Sequence, residues 1–404
     1  MSRGGERQEI GGTVGGRREL AAAGAGVSRA EVTGLDLDER IPLVDLAWQH
    51  RQVAETIRLR WDEVVDSTSF VLGDDVREFE RAFGSFCGVR SCVGVGSGTD
   101  ALEFALRSLD IGPGDEVIVP ANSFIASASA VVRAGATPVL ADVDPVFLLI
   151  DPERAADRVT RKTAAVMAVH LFGQLAPMEE LRRVMSPRAL LIEDAAQAHG
   201  ARRNGVGVGG FGVATATSFY PGKNLGAYGD AGAVLTNDDD VAQRVRALRD
   251  HGSSSKYEHP ALGFNSRLDT LQAVVLAAKL PHLLAWNESR REAAIRYDEL
   301  LSELPEVTRP GVLAGNDHVW HLYVIRVPRR DHVVSKLNGV GIGAAVHYPI
   351  PIHLQGAFRQ LGHAEGDFPV AEQASREILS LPLYPGITAG QQVRVVEQLR
   401  EALR

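Results

Sequence analysis

Two cysteines, Cys87 and Cys92, are all the thiol chemistry in 404 residues. So few exclude a disulfide-built framework, and no Cys/His cluster surrounds either one, so no zinc or other metal site is expected. No secretory signal supplies an oxidising compartment, so both are expected as free thiols near the core of a cytoplasmic protein. Lysine is nearly as scarce: only five of the 43 basic residues are lysines, at positions 162, 223, 256, 279 and 336. No apolar run reaches the roughly 18 residues that span a bilayer, which excludes a membrane helix. The formal net charge of −8 argues against nucleic acid as the main partner. It leaves an anionic small molecule open, because local cations decide that.

What is present reads as a folded α/β chain. Apolar residues make up 45% and charged residues 23%, the composition of a globular protein. Residues 1–40 are rich in Gly, Arg, Ala and Glu without an apolar period, and are expected to be a disordered extension. From Ile41 onward, near-continuous apolar runs alternate with amphipathic segments. Strands are expected at 91–95, 116–119, 138–141, 164–170, 189–192 and 232–236. Helices are expected at 48–67, 74–86, 100–109, 123–134, 178–184 and 239–249. That alternation predicts a mostly parallel sheet covered on both faces. The runs on either side of residues 218–232 are joined only by a loop and are expected to pair antiparallel. A long helical stretch over 268–304, kinked at Pro281, leads into a small α+β tail. The tail's expected elements are strands at 321–327 and 343–348 and helices at 332–337, 370–379 and 389–403. The division expected is a large domain over 41–285 and a small C-terminal domain over 286–404.

Lys223 stands out within this frame. It lies in Ser218-Phe-Tyr-Pro-Gly-Lys-Asn-Leu-Gly226, a Gly/Pro-bounded loop at a strand end. Asp194, twenty-nine residues upstream, ends the buried run Ala189-Leu-Leu-Ile-Glu-Asp194. A carboxylate after four apolar residues is costly to bury without a partner. Strand alternation points Glu193 and Asp194 to opposite sides, so only one can face a ligand. Gly96-Ser-Gly-Thr99, before a helix, makes an anion cradle from free N–H groups and the positive end of the helix dipole. Ser218 could donate to a phosphate, and Phe124 could stack on a flat ring. All these positions fall at carboxyl ends of expected strands, where open α/β sheets bind ligands. A lysine that forms an imine and a carboxylate that pairs with a ring nitrogen are the protein's share of a pyridoxal 5′-phosphate site.

The same segments carry a family resemblance. From about Ile41 to the C-terminus the chain resembles the DegT/StrS sugar aminotransferases, of the aspartate-aminotransferase-like fold (pyridoxal phosphate fold type I). The likeness rests on Val95-Gly-Ser-Gly-Thr-Asp-Ala-Leu102, Gly112-Pro-Gly-Asp-Glu-Val-Ile-Val-Pro120, Val169-His-Leu-Phe-Gly173, Glu193-Asp-Ala-Ala-Gln-Ala-His-Gly200, the lysine loop, and Gly263-Phe-Asn-Ser-Arg-Leu-Asp269. The resemblance implies that Lys223 is the Schiff-base lysine and Asp194 the pyridinium partner. It implies Gln197 near the ring hydroxyl, Phe124 as the stacking aromatic, and Ser218, Gly98 and Thr99 as phosphate contacts. Asn265 matches an asparagine that a neighbouring subunit lends to the phosphate, which implies a homodimer with shared active sites. One branch of the family carries histidine at the lysine position and dehydrates sugars. Lysine at 223 therefore favours transamination.

Residues 249–269 and His347-Tyr-Pro-Ile-Pro-Ile-His-Leu354 are similar to the branch that aminates nucleotide-linked 3-keto sugars, as in desosamine-type and mycaminose-type pathways. The expected reaction moves an amino group, from L-glutamate as donor, to C3 of a dTDP-linked keto-deoxysugar. Lys256, Tyr257, Tyr348 and His353 are candidate substrate contacts. A 4-keto-sugar or cyclitol aminotransferase, and a non-catalytic cofactor-binding regulator, are the alternatives.

Overall fold

The computed structural model describes residues 40–404. Apart from Arg40, the extension expected over residues 1–40 lies outside the described residues.

The chain opens with two helices. In α1 (Leu46–Ser67) Val53, Ile57 and Val64 face inward, and the Asp45 carboxylate caps the start by accepting from Trp48 N at 2.9 Å. The second, α2 (Asp74–Cys87), buries Val76, Phe79 and Phe83 and ends on Gly88 at φ 74°, a left-handed cap that costs glycine little. Strand β1 (Ser91–Val95) then runs into α3 (Gly98–Ser108). Next come β2 (Glu116–Pro120), α4 (Ile125–Ala134), β3 (Thr137–Ala141), a short α5 (Pro152–Ala156), β4 (Thr163–Val169), α6 (Met178–Val184) and β5 (Leu190–Asp194). Two short strands, β6 (Arg202–Arg203) and β7 (Val206–Gly207), precede β8 (Ala214–Ser218), and β9 (Gly232–Thr236) follows the lysine loop.

The main sheet has seven strands in the order β1-β9-β8-β5-β4-β2-β3. Only β9 runs against its neighbours, pairing Ser218 with Gly232 on one side and Val95 with Gly232 on the other. Both faces are covered. Val117, Val119, Met167 and Ile192 pack under α3 and α4, while Ile118, Val166, Ala168 and Leu191 pack under α5 and α6. Each branched side chain so buried contributes about 1.5–3 kcal/mol, which explains strands that are apolar without alternation. The free edge at β1 is blunted: Gly94 N donates to Glu80 Oε1, and Arg249 Nη1 donates to Gly94 O.

Beyond the sheet, α7 (Asp239–Arg249) leads through the 251–266 loop to α8 (Thr270–Lys279). A 3-10 turn at Leu280–His282, containing Pro281, separates α8 from α9 (Leu283–Leu300). The break falls at the proline because its ring and missing N–H interrupt the helical ladder. The tail holds β10 (Asn316–Asp317), β11 (Tyr323–Arg326), α10 (Arg330–Gly339), α11 (Pro369–Glu377), β12 (Ile378–Leu381) and α12 (Ala389–Leu403). β10 joins β6 and β7 in a small sheet that no sequence pattern announced.

Two expectations in the tail need correction. Residues 343–348 do not form a strand; only Ala345 bridges to Ser380. The helix expected over 370–379 stops at Glu377, and Ile378–Leu381 pairs with β11 instead. All four residues of β12 are buried, and Pro382 behind them cannot extend a helix.

Candidate active site

The carboxyl ends of β1, β5 and β8 meet beside the amino end of β9, and the site is built there. Lys223 sits at the apex of the loop between β8 and β9. The loop is folded tightly: Lys223 N donates to Tyr220 O at 2.9 Å and Ala227 N donates to Phe219 O at 2.8 Å. A Cβ on Gly226 would lie 2.3 Å from Pro221 O, so only glycine allows this closure. Asn224 fixes one flank. Its Nδ2 donates to Asn287 Oδ1 and to Val319 O, both at 2.9 Å, and its Oδ1 accepts from His321 Nδ1 at 3.1 Å. Burial lowers the Lys223 ammonium from 10.5 to about 8, against the pull of Asp194.

Asp194 is the last residue of β5, flanked by Val169 on β4 and Ala216 on β8. Its Oδ2 accepts from Ser127 Oγ at 2.8 Å, and its Oδ1 from Ala196 N at 3.2 Å. Ser127 in turn contacts Ser123 Oγ at 2.7 Å. Among the described residues no lysine or arginine lies within ion-pair distance of Asp194. Burial raises its pKa, opposed by the Ser127 hydroxyl, the Ala196 N–H and the more distant Lys223. Glu193 points the other way. It accepts from His170 Nε2, the N–H groups of Gly209, Phe211 and Gly212, and Thr215 Oγ1. Burial would raise its pKa, but these donors hold it low.

The anion cradle is tight. A Cβ on Gly98 would lie 2.5 Å from Ser218 Cβ, and one on Gly232 would lie 2.4 Å from Ser97 O. Ser97 Oγ accepts from Asp100 N at 3.1 Å, which caps α3 and leaves the N–H groups of Gly98 and Thr99 without helical partners. Gln197 spans the other side: its Oε1 accepts from Phe172 N at 2.6 Å and its Nε2 donates to Tyr348 OH at 3.1 Å. The Tyr348 ring lies 5.2 Å from Phe124, which is 50% exposed for so large an apolar side chain.

The remaining candidates divide. Asn265 is exposed, next to Ser266, whose Oγ accepts from Gly96 N and donates to Asp100. Lys256 and Tyr257 lie on the exposed 251–266 loop, with the ammonium 5.3 Å from the ring centre, and none of their contacts reaches the Lys223 cluster. His353 requires a correction. Its ring is buried, with Nε2 3.0 Å from Glu372 and the ring packed on Phe368, so it braces the tail where solvent does not reach. Ser127 and three histidines escaped sequence reasoning. Burial, and then the charge of Lys223, hold His199 near 3, His347 near 4 and His321 far below its ordinary value, so all three stay neutral around the lysine. His199 lies inside a quoted motif, but no spacing signals its contact with Thr217.

These features fit a flat ring that carries a cationic nitrogen and a phosphate. Asp194 is a buried carboxylate short of proton donors, Phe124 offers a ring face, and the close approach of Ser218 to Gly98 sets a hydroxyl beside the free backbone N–H groups that open α3.

Comparison with known proteins gives the class. The DegT/DnrJ/EryC1/StrS aminotransferase family profile matches residues 51–400. The pleiotropic regulatory protein of Geobacillus stearothermophilus is 46% identical over 367 residues, 90% of this chain and 99% of that protein. The dTDP-3-amino-3,4,6-trideoxy-alpha-D-glucose transaminase of Streptomyces venezuelae is 43% identical over 363 residues, 90% of this chain and 96% of that one. The crystal structure of S. venezuelae DesV in complex with a ketimine intermediate has a TM-score of 0.88 at 43% identity, covering 90% of this chain and 99% of that chain. The chain therefore belongs to the DegT/DnrJ/EryC1/StrS aminotransferase family and has the aspartate-aminotransferase-like fold. Aminotransferases of this family depend on pyridoxal phosphate. No helix among the described residues is long and apolar enough to cross a membrane, and no His, Cys, Asp and Glu cluster there could hold a metal.

Proposed function

We propose that this chain transfers an amino group from L-glutamate to the C3 keto carbon of a dTDP-linked keto-deoxysugar, using pyridoxal 5′-phosphate. One observation carries the chemistry: a lysine amine whose pKa burial lowers to about 8 feels the charge of a buried carboxylate that, among the described residues, has no lysine or arginine within ion-pair distance. The S. venezuelae transaminase, similar over nearly its whole length, supports the choice of sugar.

When bound, the cofactor supplies an electron-withdrawing ring that stabilises negative charge on the carbon losing its proton. The rest falls to the protein. Lys223 Nζ would anchor the cofactor and, when not bonded to it, would take up and return the substrate's proton as a general acid and base, a task suited to a pKa near 8. Asp194 holds a proton on the ring nitrogen, with Ser127 fixing the carboxylate's orientation. Gly98, Thr99 and Ser218 would hold the phosphate, Phe124 would cover one ring face, and Gln197 would meet the ring hydroxyl. Tyr348, tied to Gln197, is the substrate contact we retain from the tail. Lys256 and Tyr257 are assigned to the substrate of a neighbouring subunit, and Asn265 to its phosphate.

That assignment needs a homodimer. Leu59, Val65, Phe70 and Val71, each between 43% and 62% exposed, are large apolar side chains of α1 and the turn after it that a second copy could cover. We also keep the division into a large part over 41–285 and a small part over 286–404. The two free thiols suit a reducing cytoplasm.

A regulatory reading has one observation in its favour, the name of the Geobacillus relative. A single assay separates the possibilities. Protein loaded with pyridoxamine phosphate is mixed with a panel of 3-keto and 4-keto nucleotide sugars, and return of the pyridoxal absorbance is followed. A dTDP-3-keto sugar is expected to restore it fastest. Restoration only by a 4-keto sugar overturns the substrate, and restoration by none in a cofactor-binding protein overturns the activity.

A further inference from the structure

A second lysine is buried next to the loop that carries the first. Lys279, the last residue of α8, is only 2% exposed. Its Nζ donates to Gly226 O at 2.6 Å and lies 4.5 Å from the centre of the Tyr228 ring. Among the described residues it has no carboxylate partner, and burial lowers its pKa to about 8. A lysine this buried and unpaired is rare, because desolvating the ammonium costs more than a carbonyl and a ring face return. A methionine would fill the same space at no electrostatic cost, so the charge calls for a reason.

Its two partners supply one. Gly226 and Tyr228 follow Lys223 in the loop, and Lys279 holds them with partners other than those that hold Asn224. Gly226 O belongs to the residue that presses against Pro221 and folds the loop back on itself. Tyr228 is fixed from three further directions: its N donates to Gln272 Oε1 at 2.8 Å, its OH meets His50 Nδ1 at 2.6 Å, and its ring sits edge-on to Trp61. A cation placed between a carbonyl and an aromatic face attracts both at once. The loop is thus held by a neutral amide network at Asn224 and by a charge at Gly226 and Tyr228.

We propose that Lys279 is a positioning residue that clamps the exit of the lysine loop and so fixes where Lys223 Nζ stands. This rests on the reading of Lys223 as the cofactor lysine, but the clamp itself can be tested without cofactor.

Hydrogen–deuterium exchange on the full chain, prepared free of pyridoxal phosphate, follows the amides of Lys223 and Ala227 that close the loop. In Lys279→Met these should exchange about ten-fold faster, with β5 and β8 keeping wild-type protection. Lys279→Arg, which retains charge and donors, should recover part of the loss. Unchanged loop exchange in Lys279→Met overturns the clamp, and so does protection lost equally through β5 and β8, which would make Lys279 a prop for the fold. On adding pyridoxal phosphate, Lys279→Met should develop the visible absorbance of the lysine-bound cofactor more weakly than wild type at equal concentration. Local loosening in a protein that never develops this absorbance, even as wild type, would uphold the clamp and sink the cofactor assignment.

Discussion

Replacing Lys223 with methionine should stabilise the cofactor-free protein while abolishing turnover. The fold holds the Lys223 ammonium at about 8 against 10.5 in the unfolded chain, because burial outweighs the attraction of Asp194. At about 1.4 kcal/mol per pH unit, this costs about 3 kcal/mol when the amine is charged, and about 2 kcal/mol allowing for water at a partly exposed site. The direction with pH follows. Below pH 8 both states keep the proton, and the folded state bears the whole cost. Between 8 and 10.5 the unfolded chain still holds a proton that the folded chain has lost, so wild-type stability rises with pH. Above 10.5 the cost is gone. Methionine removes the titrating group, so Lys223→Met should exceed wild type by about 2 kcal/mol at pH 6–7, with the gap closing by pH 10.5. Urea unfolding of both proteins without cofactor, at intervals from pH 6 to 10.5, measures it. A gap that does not change with pH, or a variant less stable than wild type at pH 7, refutes the reasoning.

Two further substitutions test the rest of the site. Asp194→Ala should lower turnover by orders of magnitude while Lys223 still captures pyridoxal phosphate, seen as visible absorbance; wild-type turnover would remove Asp194 from the chemistry. Gly98→Ala would set a Cβ 2.5 Å from Ser218 Cβ, so thermal melting should show a loss of about 1–3 kcal/mol, with cofactor affinity falling too. Unchanged melting and unchanged affinity together would show that the cradle is looser than its geometry implies.

The sequence makes some of this site legible and hides the rest for definable reasons. Lys223 and Asp194 stand out because short β-rich runs precede them, apolar before Asp194 and alternating alanine and threonine before Lys223, and parallel sheets gather their carboxyl ends at one edge. The antiparallel β9 is legible because the connection 219–231 is a Gly/Pro-bounded loop with no helical period, so nothing in it reads as a crossover helix. Ser127 is not legible, because a serine in the first turn of a helix has no pattern pointing at a strand end 67 residues away. β12 is hidden because the period of α11 runs without a break into four buried residues, and only pairing with β11 decides between helix and strand. His353 misleads for the opposite reason: a histidine in a proline-flanked loop looks available until Glu372, on α11, is folded against it.

The adjacent pair Glu193 and Asp194 shows how the fold assigns chemistry that composition cannot. Both are carboxylates at the end of one strand, both are buried, and the pleat turns them to opposite faces. Glu193 receives one imidazole, one hydroxyl and three backbone donors. His170 Nδ1 accepts from Ala176 N, which leaves Nε2 to donate to Glu193. Glu193 is therefore ionised with its hydrogen-bonding capacity filled, and nothing remains for a ligand. Asp194 receives one hydroxyl and one backbone N–H at 3.2 Å, and its pKa rises. A carboxylate in that condition gains most from a partner that brings both a proton and a positive charge. By linkage, a ring nitrogen that lowers the pKa of Asp194 has its own raised by the same coupling, so it keeps its proton in the bound state. The unmet demand of Asp194, set against the full satisfaction of its neighbour, selects which of two adjacent acids can serve a cationic ring.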